Sequence, residues 1–325
     1  RLEFTAEWYK NKSEDLLYSV PVPAQTGVSN TFVTMNAASM ENSGFEFSAT
    51  YRNRDHALKY DISANVSTLK NKVTSLGIGK NSYITGAYAT YVGQEIGKFY
   101  GWIYEGIART QDELDGHATQ QGANVGDCLY KDISGPNGEP DGVIDAYDQT
   151  VLGSGLPKVN FGLSTHMEYK GFDLNISTYG VLNYHVSDDI YNSLNSCYGY
   201  GNKEVGMLDA NRWSEDGSTY LSSVPRTYAA NNATLGWNDL FSSRKIQNAA
   251  YWKIANVELG YNFPDKWFGG YVSGVRLYVS AQNLYTFTGY HGYNVDYAGG
   301  TFTPGYNFCS FPSARTFMCG LHFTF

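Results

Sequence analysis

Residues 158–184 read KVNFGLSTHMEYKGFDLNISTYGVLNY, and this stretch decides the fold class of the chain. In both of its halves, apolar or aromatic side chains alternate with polar ones. Alternation over this length indicates a β-strand that has one apolar and one polar face. The pair Lys170-Gly171 interrupts the pattern, so the sequence predicts two antiparallel strands, 158–169 and 171–184, joined by a tight turn.

The same alternation recurs along the whole chain. At the C-terminus, one face carries Phe317, Cys319, Leu321, Phe323 and Phe325. The pattern predicts eight long strands, at residues 1–16, 42–54, 57–71, 158–169, 171–184, 249–263, 273–287 and 314–325. The connections between them are short at 55–56, 170–171 and about 264–272, and long at 17–41, 72–157, 185–248 and 288–313.

Short and long connections alternate along the chain, and this alternation is the main architectural signal. An outer-membrane barrel has short periplasmic turns and long extracellular loops, whereas a soluble β-sandwich mixes both lengths at both ends. We therefore predict an all-β fold, an antiparallel transmembrane β-barrel whose apolar faces meet lipid and whose polar faces meet a wet lumen. A soluble up-and-down barrel is the alternative, because its strands would alternate in the same way.

Aromatic side chains cluster near the ends of the predicted strands. They are Trp8, Tyr9, Tyr51, Tyr169, Tyr251, Trp252, Tyr285 and Phe287. Tyr and Trp are enriched where a membrane meets water, so this placement favours a membrane barrel. The competing explanation is that aromatic residues are good strand formers in any sheet.

The composition excludes several classes of protein. The 325 residues carry 23 Lys and Arg against 31 Asp and Glu, a net charge of −8, which argues against binding to nucleic acid. Aromatic residues make up 16% and charged residues only 17%, which excludes a disordered chain. The sequence contains no run of about 18 apolar residues, so it predicts no transmembrane helix.

Cysteine and histidine patterns point to no enzyme. The four cysteines show no CxxC spacing, so a zinc site is not predicted, and pairing of Cys197 with Cys309 stays open. The six histidines are scattered, and the sequence contains no nucleophile elbow and no phosphate-binding loop. We therefore predict no catalytic residues.

One motif suggests a metal ion. Residues 141–148 read DGVIDAYD, which resembles the second half of a calcium loop, with a glycine turn, a carbonyl ligand and two carboxylates. The predicted ligands are Asp132, Asn137, Asp141, Val143, Asp145 and Asp148. Asp132 lies nine residues before Asp141, where a regular calcium loop has four, so the first half carries an insertion. The alternative is an Asp-Gly turn capped by carboxylates, which needs no ion.

The long connections are rich in aromatic and amide side chains, which bind sugars or peptides through flat rings and hydrogen bonds. The predicted substrate-binding residues are Tyr198, Tyr200, Trp213, Trp237, Tyr290 and Tyr293. The alternative is that these rings fill small cores within their own loops. A short helix is expected over about 204–213.

Six segments resemble one known family, in the order in which that family carries them. They are NSGFEFSATY at 42–51, DGVIDAYDQTVLGSGLPKVNFGLSTHMEYKGFDLNIS at 141–177, NRW at 211–213, YWKIANVELGYNFP at 251–264, VRLYVSAQNLYTFTGYHGYNVDY at 275–297 and PSARTFMCGLHFTF at 312–325. The family is the SusC/RagA-like group of TonB-dependent outer-membrane transporters of Gram-negative bacteria. The insertion in the calcium-like motif departs from its pattern.

The resemblance implies a 22-stranded barrel, of which this chain would supply the C-terminal part. It also implies partners: an N-terminal plug and the remaining strands outside this chain, TonB acting through the plug, a SusD-like lid lipoprotein, and outer-membrane lipid. Residues 72–157 would form a large extracellular loop. The implied function is import of glycan or peptide fragments. The alternatives are a secreted or surface carbohydrate-binding β-domain and, ranked last, a small outer-membrane enzyme.

Overall fold

One large antiparallel sheet organises the chain. The computed structural model describes residues 1–21, 32–77, 79–197, 202–205, 212–214, 222–227, 236–268, 272–296 and 299–325. Within these residues the strands, in chain order, are β1 Leu2–Pro21, β2 Phe32–Asn53, β3 Leu58–Thr68, β4 Lys70–Ser75, β5 Ser82–Thr85, β6 Tyr88–Tyr91, β7 Lys98–Gly101, β8 Tyr104–Ile107, β9 Cys128–Tyr130, β10 Thr150–Gly153, β11 Val159–Tyr169, β12 Phe172–Leu182, β13 His185–Asp188, β14 Gln247–Asn248, β15 Tyr251–Phe263, β16 Gly274–Thr288, β17 Gly299–Gly300, β18 Thr303–Pro304, β19 Tyr306–Asn307 and β20 Thr316–Thr324.

The long strands lie side by side in the order in which they follow each other in the sequence. The order of the large sheet is β1-β2-β3-β11-β12-β15-β16-β20, and β4 continues the line of β3 against β2. The β11–β12 hairpin pairs Val159 with Leu182 and closes at Tyr169 and Phe172. Its turn residues Lys170 and Gly171 have φ of 48° and 87°, as a type I′ turn requires. The predicted all-β, antiparallel fold is confirmed.

The first hairpin differs from the prediction. Residues 17–41 are not a long loop, because β1 and β2 stay paired as far as Pro21 and Phe32, which leaves only 22–31 as the connection. The ladder has register shifts between Ser13 and Leu17, beside Asp15, whose φ is 57°. A bulge breaks the period-2 pattern without ending the strand. The alternation of apolar and polar residues therefore stops in the sequence, although the two strands stay paired.

The apolar stripes of the large sheet point outward. On the outer strands, Phe4, Trp8 and Phe317 are 66%, 61% and 69% exposed. On the central strand β11, Leu163 is 42% exposed. Fully solvated faces of this size are unusual for a water-soluble protein. The stripes therefore do not pack against each other in a dry interior, which agrees with the predicted lipid-facing surface.

The long connections fold into smaller sheets at one end of the large sheet. In the described residues, the order of the largest is β10-β7-β6-β5, β13 pairs with β14 and β19, and β8 pairs with β9. The helices are α1 Gln111–Asp115 and α2 Asp189–Leu194, with 3-10 turns at Ala146–Asp148, Gly236–Asp239, Ser243–Lys245 and Asp265–Phe268. The helix predicted over about 204–213 falls mainly on 206–211, outside the described residues, and Arg212 forms a bridge with Val224.

Buried apolar cores lie in these connections and at the adjoining strand ends. One core unites Val181, Tyr184, Val186, Ala249, Tyr251, Tyr290 and Val295. A second contains Ala38, Val73, Leu76 and Ile96, and a third contains Cys128, Tyr130 and Ile144. The end of the large sheet that carries the long connections, here called the loop end, is therefore packed like a small globular domain. This packing holds its polar groups in fixed positions.

Candidate functional site

Charged side chains join three strands on the polar face of the large sheet. The Nε atom of Arg276 on β16 donates to Oδ1 of Asp173 on β12 at 3.0 Å, and its Nη2 donates to Oε1 of Glu258 on β15 at 2.7 Å. Asn262 donates to the same Asp173 oxygen at 2.8 Å. One guanidinium bridges two carboxylates, so this cluster is polar and carries a net charge of −1.

A glycine makes this arrangement possible. A Cβ atom on Gly260 would lie 2.5 Å from Nη2 of Arg276 and 2.6 Å from the Asp173 carboxylate. Contacts this short force a displacement, so only glycine lets the guanidinium cross β15 to reach β12.

We expect Gly260→Ala to displace Arg276 from Asp173 and to lower the melting temperature, at a cost of about 1 kcal/mol, because the side-chain ends that meet the new Cβ atom can move. Thermal unfolding in detergent measures the change. The matched control is Gly274→Ala on β16, where the nearest atoms to a new Cβ are 3.8 Å away. Equal melting temperatures for the two variants would contradict the steric explanation.

His166 is held in a second polar cluster on β11. Its Nδ1 lies 2.6 Å from Oδ1 of Asn175 and its Nε2 lies 2.8 Å from Oε1 of Glu168. In the neighbouring strands, Arg54 pairs with Asp61. The imidazole is thus bound within a polar network on the sheet, as expected for a side chain on a hydrated face.

One carboxylate ties the connection after β16 to the sheet. Asp296 accepts hydrogen bonds from the hydroxyls of Tyr179 at 3.1 Å and Tyr251 at 2.9 Å, and from Nζ of Lys253 at 2.6 Å. The three donors come from β12 and β15. Asp296 therefore anchors its loop over the polar face at the loop end.

A second carboxylate anchors three segments in the loops. Asp188 is buried and caps α2 by accepting the Tyr191 amide on Oδ1 at 2.9 Å. Its Oδ2 accepts from the Tyr290 hydroxyl, and from the Asn307 amide at 2.9 Å. Burial, reinforced by the adjacent carboxylate, raises the pKa of Tyr290 above its usual value, so the phenol stays a donor.

A third carboxylate, Asp127, joins two more segments. Arg226 forms a bidentate pair with it, at 2.7 Å through Nε and 2.9 Å through Nη2. Asn238 donates to Asp127 at 2.7 Å and accepts from the Cys128 amide at 2.7 Å. Burial raises the pKa of the Cys128 thiol to about 12, so it is protonated at neutral pH. All four cysteines are free, and Cys128 and Cys197 are buried.

Two cavities of the described loops are lined by both polar and apolar side chains. One of about 700 Å³ is lined by Asp189, Ile190, Asn192, Ser193, Leu194, Ser196, Asn202, Lys203, Asp239, Lys245 and Cys309. Another, of about 310 Å³, lies where β16 meets its loop and is lined by residues that include Lys253, Thr286, Tyr293, Asn294 and Arg315. Volumes of this size are typical of small-molecule sites, so the loops offer space for ligands.

The relatives of the chain are receptors of one kind. TonB-dependent receptor P3 of Formosa agariphila is 31% identical over 100% of this chain, which covers 32% of that protein. TonB-dependent receptor SusC of Bacteroides thetaiotaomicron is 27% identical over 98% of this chain, which covers 29% of that protein. The chain is therefore a homologue of TonB-dependent receptors, SusC among them.

Solved structures show the same fold. The RagAB peptide transporter superposes with a TM-score of 0.77 over 99% of this chain and 33% of the transporter chain, at 22% identity. The chain thus spans about a third of the length of the receptors it matches, a share consistent with their C-terminal barrel portion. No protein-family model matches the sequence. Among the described residues, the helices are all too short or too polar to span a bilayer.

The predicted aromatic residues of this receptor lie in different surroundings. Trp213 is buried against Gly126, and Tyr290 is buried beside Asp188. Trp237 is half-buried, donates to the Gln121 carbonyl at 3.0 Å and packs against Tyr130. Tyr293 is 60% exposed and lines the 310 Å³ cavity. Tyr198 and Tyr200 lie outside the described residues. Substrate contact by these residues stays a prediction.

The calcium-like motif is a loop closed by carboxylates. Asp148 is buried and accepts the amides of Ile133 at 2.8 Å, Ser134 at 3.1 Å and Asp145 at 2.8 Å. Oδ2 of Asp132 accepts the Gly142 amide at 2.7 Å. Ile144 is buried in the third core.

The remaining predicted ligands do not converge. Asp141 accepts the amide of Val143 at 3.1 Å, and Asp145 accepts that of Tyr147 at 2.7 Å. In the described residues, no group of three His, Cys, Asp or Glu side chains is placed to hold a metal ion. One acceptor lacks a partner among the described residues: Oδ1 of Asp132 is buried without a hydrogen bond. Calcium binding by Asp132, Asn137 and the other motif residues stays a prediction.

If the motif binds calcium as predicted, we expect calcium to raise the melting temperature of the purified protein, because an ion that binds only the folded state stabilises it. Asp141→Ala and Asp145→Ala should each abolish the increase. Asp112→Ala, which removes an exposed carboxylate from α1, is the control and should keep it. The same melting temperature with calcium and with a chelator in the unmodified protein would end the calcium hypothesis.

Sequence reasoning did not single out Asp188, Asp296, Asp127 or the adjacent pair Arg244-Lys245. Asp188, Asp296 and Asp127 each contact a residue more than 40 positions away in the sequence. The contact of Asp127 with Arg226 is one example. The available signal was chemical: they are charged residues in connections otherwise rich in Tyr, Asn and Gly.

Proposed function

We propose that this chain forms part of an outer-membrane importer that takes up glycan or peptide fragments with energy delivered through TonB. The observation that carries the proposal is the match along the whole chain to TonB-dependent receptors, SusC among them. The RagAB peptide transporter, which shares the fold, adds peptides to the candidate substrates. These relatives are receptors or transporters, which supports a function without bond-breaking chemistry.

The surface of the sheet supports a membrane location. Apolar side chains such as Leu163 and Phe323 lie exposed on one face, while Arg276, Asp173 and Glu258 pair on the other. In an outer-membrane barrel, the first face meets lipid and the second meets the lumen. An apolar face of this extent argues against a secreted carbohydrate-binding domain.

We place the loop end outside the cell, including residues 72–157, with a SusD-like lipoprotein as its lid. The plug and the remaining barrel strands would come from polypeptide outside this chain, and TonB would act on the plug. Substrate would meet the loops where exposed rings and polar cavities lie together, as at Tyr293. This chain would supply wall and binding surface, while the energy-coupling parts lie elsewhere.

Uptake in cells tests the proposal. Cells that express the receptor should accumulate labelled oligosaccharides or oligopeptides only when TonB is functional. The receptor should also fractionate with outer membranes. Deletion of tonB is the matched control, since it leaves the receptor in place. A receptor found in the culture medium as a glycan-binding monomer would contradict the proposal.

A further inference from the structure

A small cavity in the loops has an excess of positive charge. Its volume is about 270 Å³, and it is lined by Tyr104, Tyr191, Asn192, Asn195, Ser223, Val224, Arg244 and Lys245. Two of these side chains are cations, and none of the described lining residues is acidic. The cavity lies beside the 3-10 turn Ser243–Lys245, which is joined to β8 by a hydrogen bond from the Tyr104 amide to Ser243.

Arg244 has no anionic partner in the described part of the chain. No carboxylate lies within 4.0 Å of its guanidinium, and it donates no hydrogen bond to a described residue. The described groups that act on it electrostatically include the thiols of Cys128 and Cys197 and the phenols of Tyr104 and Tyr130, which are uncharged at neutral pH. Among the described residues, therefore, no anion balances the positive charge of Arg244.

Two other cations of this region have acidic partners among the described residues. Arg226 pairs with Asp127 at 2.7 Å. Lys245 donates to the Asp239 carbonyl and lies 3.8 Å from the carboxylate of that residue. Glu204, near the cavity, accepts from the Asn195 amide at 2.8 Å. The nearby acids thus have partners, and Arg244 is the exception.

A guanidinium that is largely removed from water costs free energy unless an anion accompanies it. Its planar fork binds carboxylate, sulfate and phosphate oxygens through two parallel hydrogen bonds. A cavity of about 270 Å³ is smaller than a site for a whole oligosaccharide, but it admits one acidic group.

We propose that this cavity is an anion-binding site, in which Arg244 is the main ligand of a carboxylate or an oxyanion. The anion is either a free inorganic ion or an acidic group on a larger ligand. Only the second source rests on the proposed import function, in which it would favour acidic sugars or peptides.

Anion-dependent stability tests the site directly. The purified protein, with its whole chain and in detergent, is unfolded thermally in chloride, acetate, sulfate and phosphate at constant ionic strength. We expect sulfate or phosphate to raise the melting temperature above that in chloride. Arg244→Gln should weaken the apparent affinity at least about tenfold, because a charge-assisted bidentate contact is lost. Lys131→Gln removes an exposed cation from the same region and should behave like the unmodified protein.

The unliganded variant provides a second readout. Without added oxyanion, Arg244→Gln should be at least as stable as the unmodified protein, since it removes an unpaired cation, whereas Arg226→Gln should melt lower. Arg244→Lys keeps the positive charge and should bind the anion more weakly than the unmodified protein. This variant tests the site even if Arg244→Gln does not fold. Identical anion responses in the unmodified protein and all Arg244 variants, or no response in any, would overturn the proposal.

A final comparison separates the two sources. Glucuronate and glucose differ by one carboxylate, so stabilisation by glucuronate alone identifies an acidic group on a sugar as a ligand, whereas stabilisation by sulfate alone identifies a free ion. Both results support the anion site. Absence of TonB-dependent uptake would contradict the import proposal alone. Loss of anion binding in Arg244→Gln would still support the anion site in that case.

Discussion

Leu163→Arg is expected to prevent the protein from assembling in the outer membrane. Leu163 lies at the centre of β11 on the apolar face and is 42% exposed. A charged side chain on the lipid face of a barrel costs about 2–4 kcal/mol near the middle of the bilayer. That is a large part of the stability of a typical folded domain.

The control lies one residue away. Ser164→Arg places the same side chain on the polar face of the same strand, so it should assemble normally. Outer-membrane fractionation and the heat-dependent gel shift of folded barrels report assembly of both variants. Normal assembly of Leu163→Arg together with failure of Ser164→Arg would show that the two faces have been assigned the wrong way round.

Asp148→Ala is expected to unfold the loop around the calcium-like motif. It leaves the amides of Ile133, Ser134 and Asp145 without their acceptor. Each buried donor that loses its partner costs roughly 1–3 kcal/mol, so we expect a loss of at least about 3 kcal/mol in the free energy of unfolding of this loop. Limited proteolysis between Asp132 and Asp148 measures the opening.

Asp148→Asn separates acceptor geometry from charge. Asparagine keeps one acceptor oxygen of the same shape, so the variant should be cleaved more slowly than Asp148→Ala and faster than the unmodified protein. Tests with and without calcium distinguish this structural role from ion binding, because the amide contacts exist without an ion. Equal resistance of all three proteins to cleavage would contradict the assigned role of Asp148.

The strand pattern was predictable because it is local. A strand with one apolar face alternates at period 2 in the sequence itself, and the predicted 158–169 and 249–263 match Val159–Tyr169 and Tyr251–Phe263. The turn at Lys170-Gly171 was equally local, since its conformation favours glycine. Both features need no knowledge of distant residues.

The first hairpin shows where local pattern fails. Asp15 adopts a left-handed conformation and the register shifts beside it, so the side chains beyond Ser13 change face although the strands stay paired. The sequence then looks like a loop. The small sheets within the long connections were missed for a related reason, because strands such as Lys98–Gly101 have only four residues and show too little alternation.

The loop sites depend on contacts between distant segments. From the sequence, Trp213 and Tyr290 were predicted to bind substrate, but both side chains are buried. Their burial depends on how several loops pack together, which the sequence pattern does not show. The Asp148 contacts come from residues up to 15 positions away, in the inserted half of the calcium-like motif. The environment of Arg244 was not predictable, since an unbalanced charge becomes visible only when all of its neighbours are known.

The central claim is that the apolar face of the large sheet contacts lipid and the polar face contacts water. Nitroxide labels at single cysteines along residues 160–168, in reconstituted membranes, test it most directly, with Cys309 and Cys319 replaced by serine. We predict high oxygen accessibility at Phe161, Leu163 and Met167, and high accessibility to a polar nickel reagent at Ser164 and His166. Low accessibility to both reagents at the apolar positions, as in a dry closed core, would contradict the account.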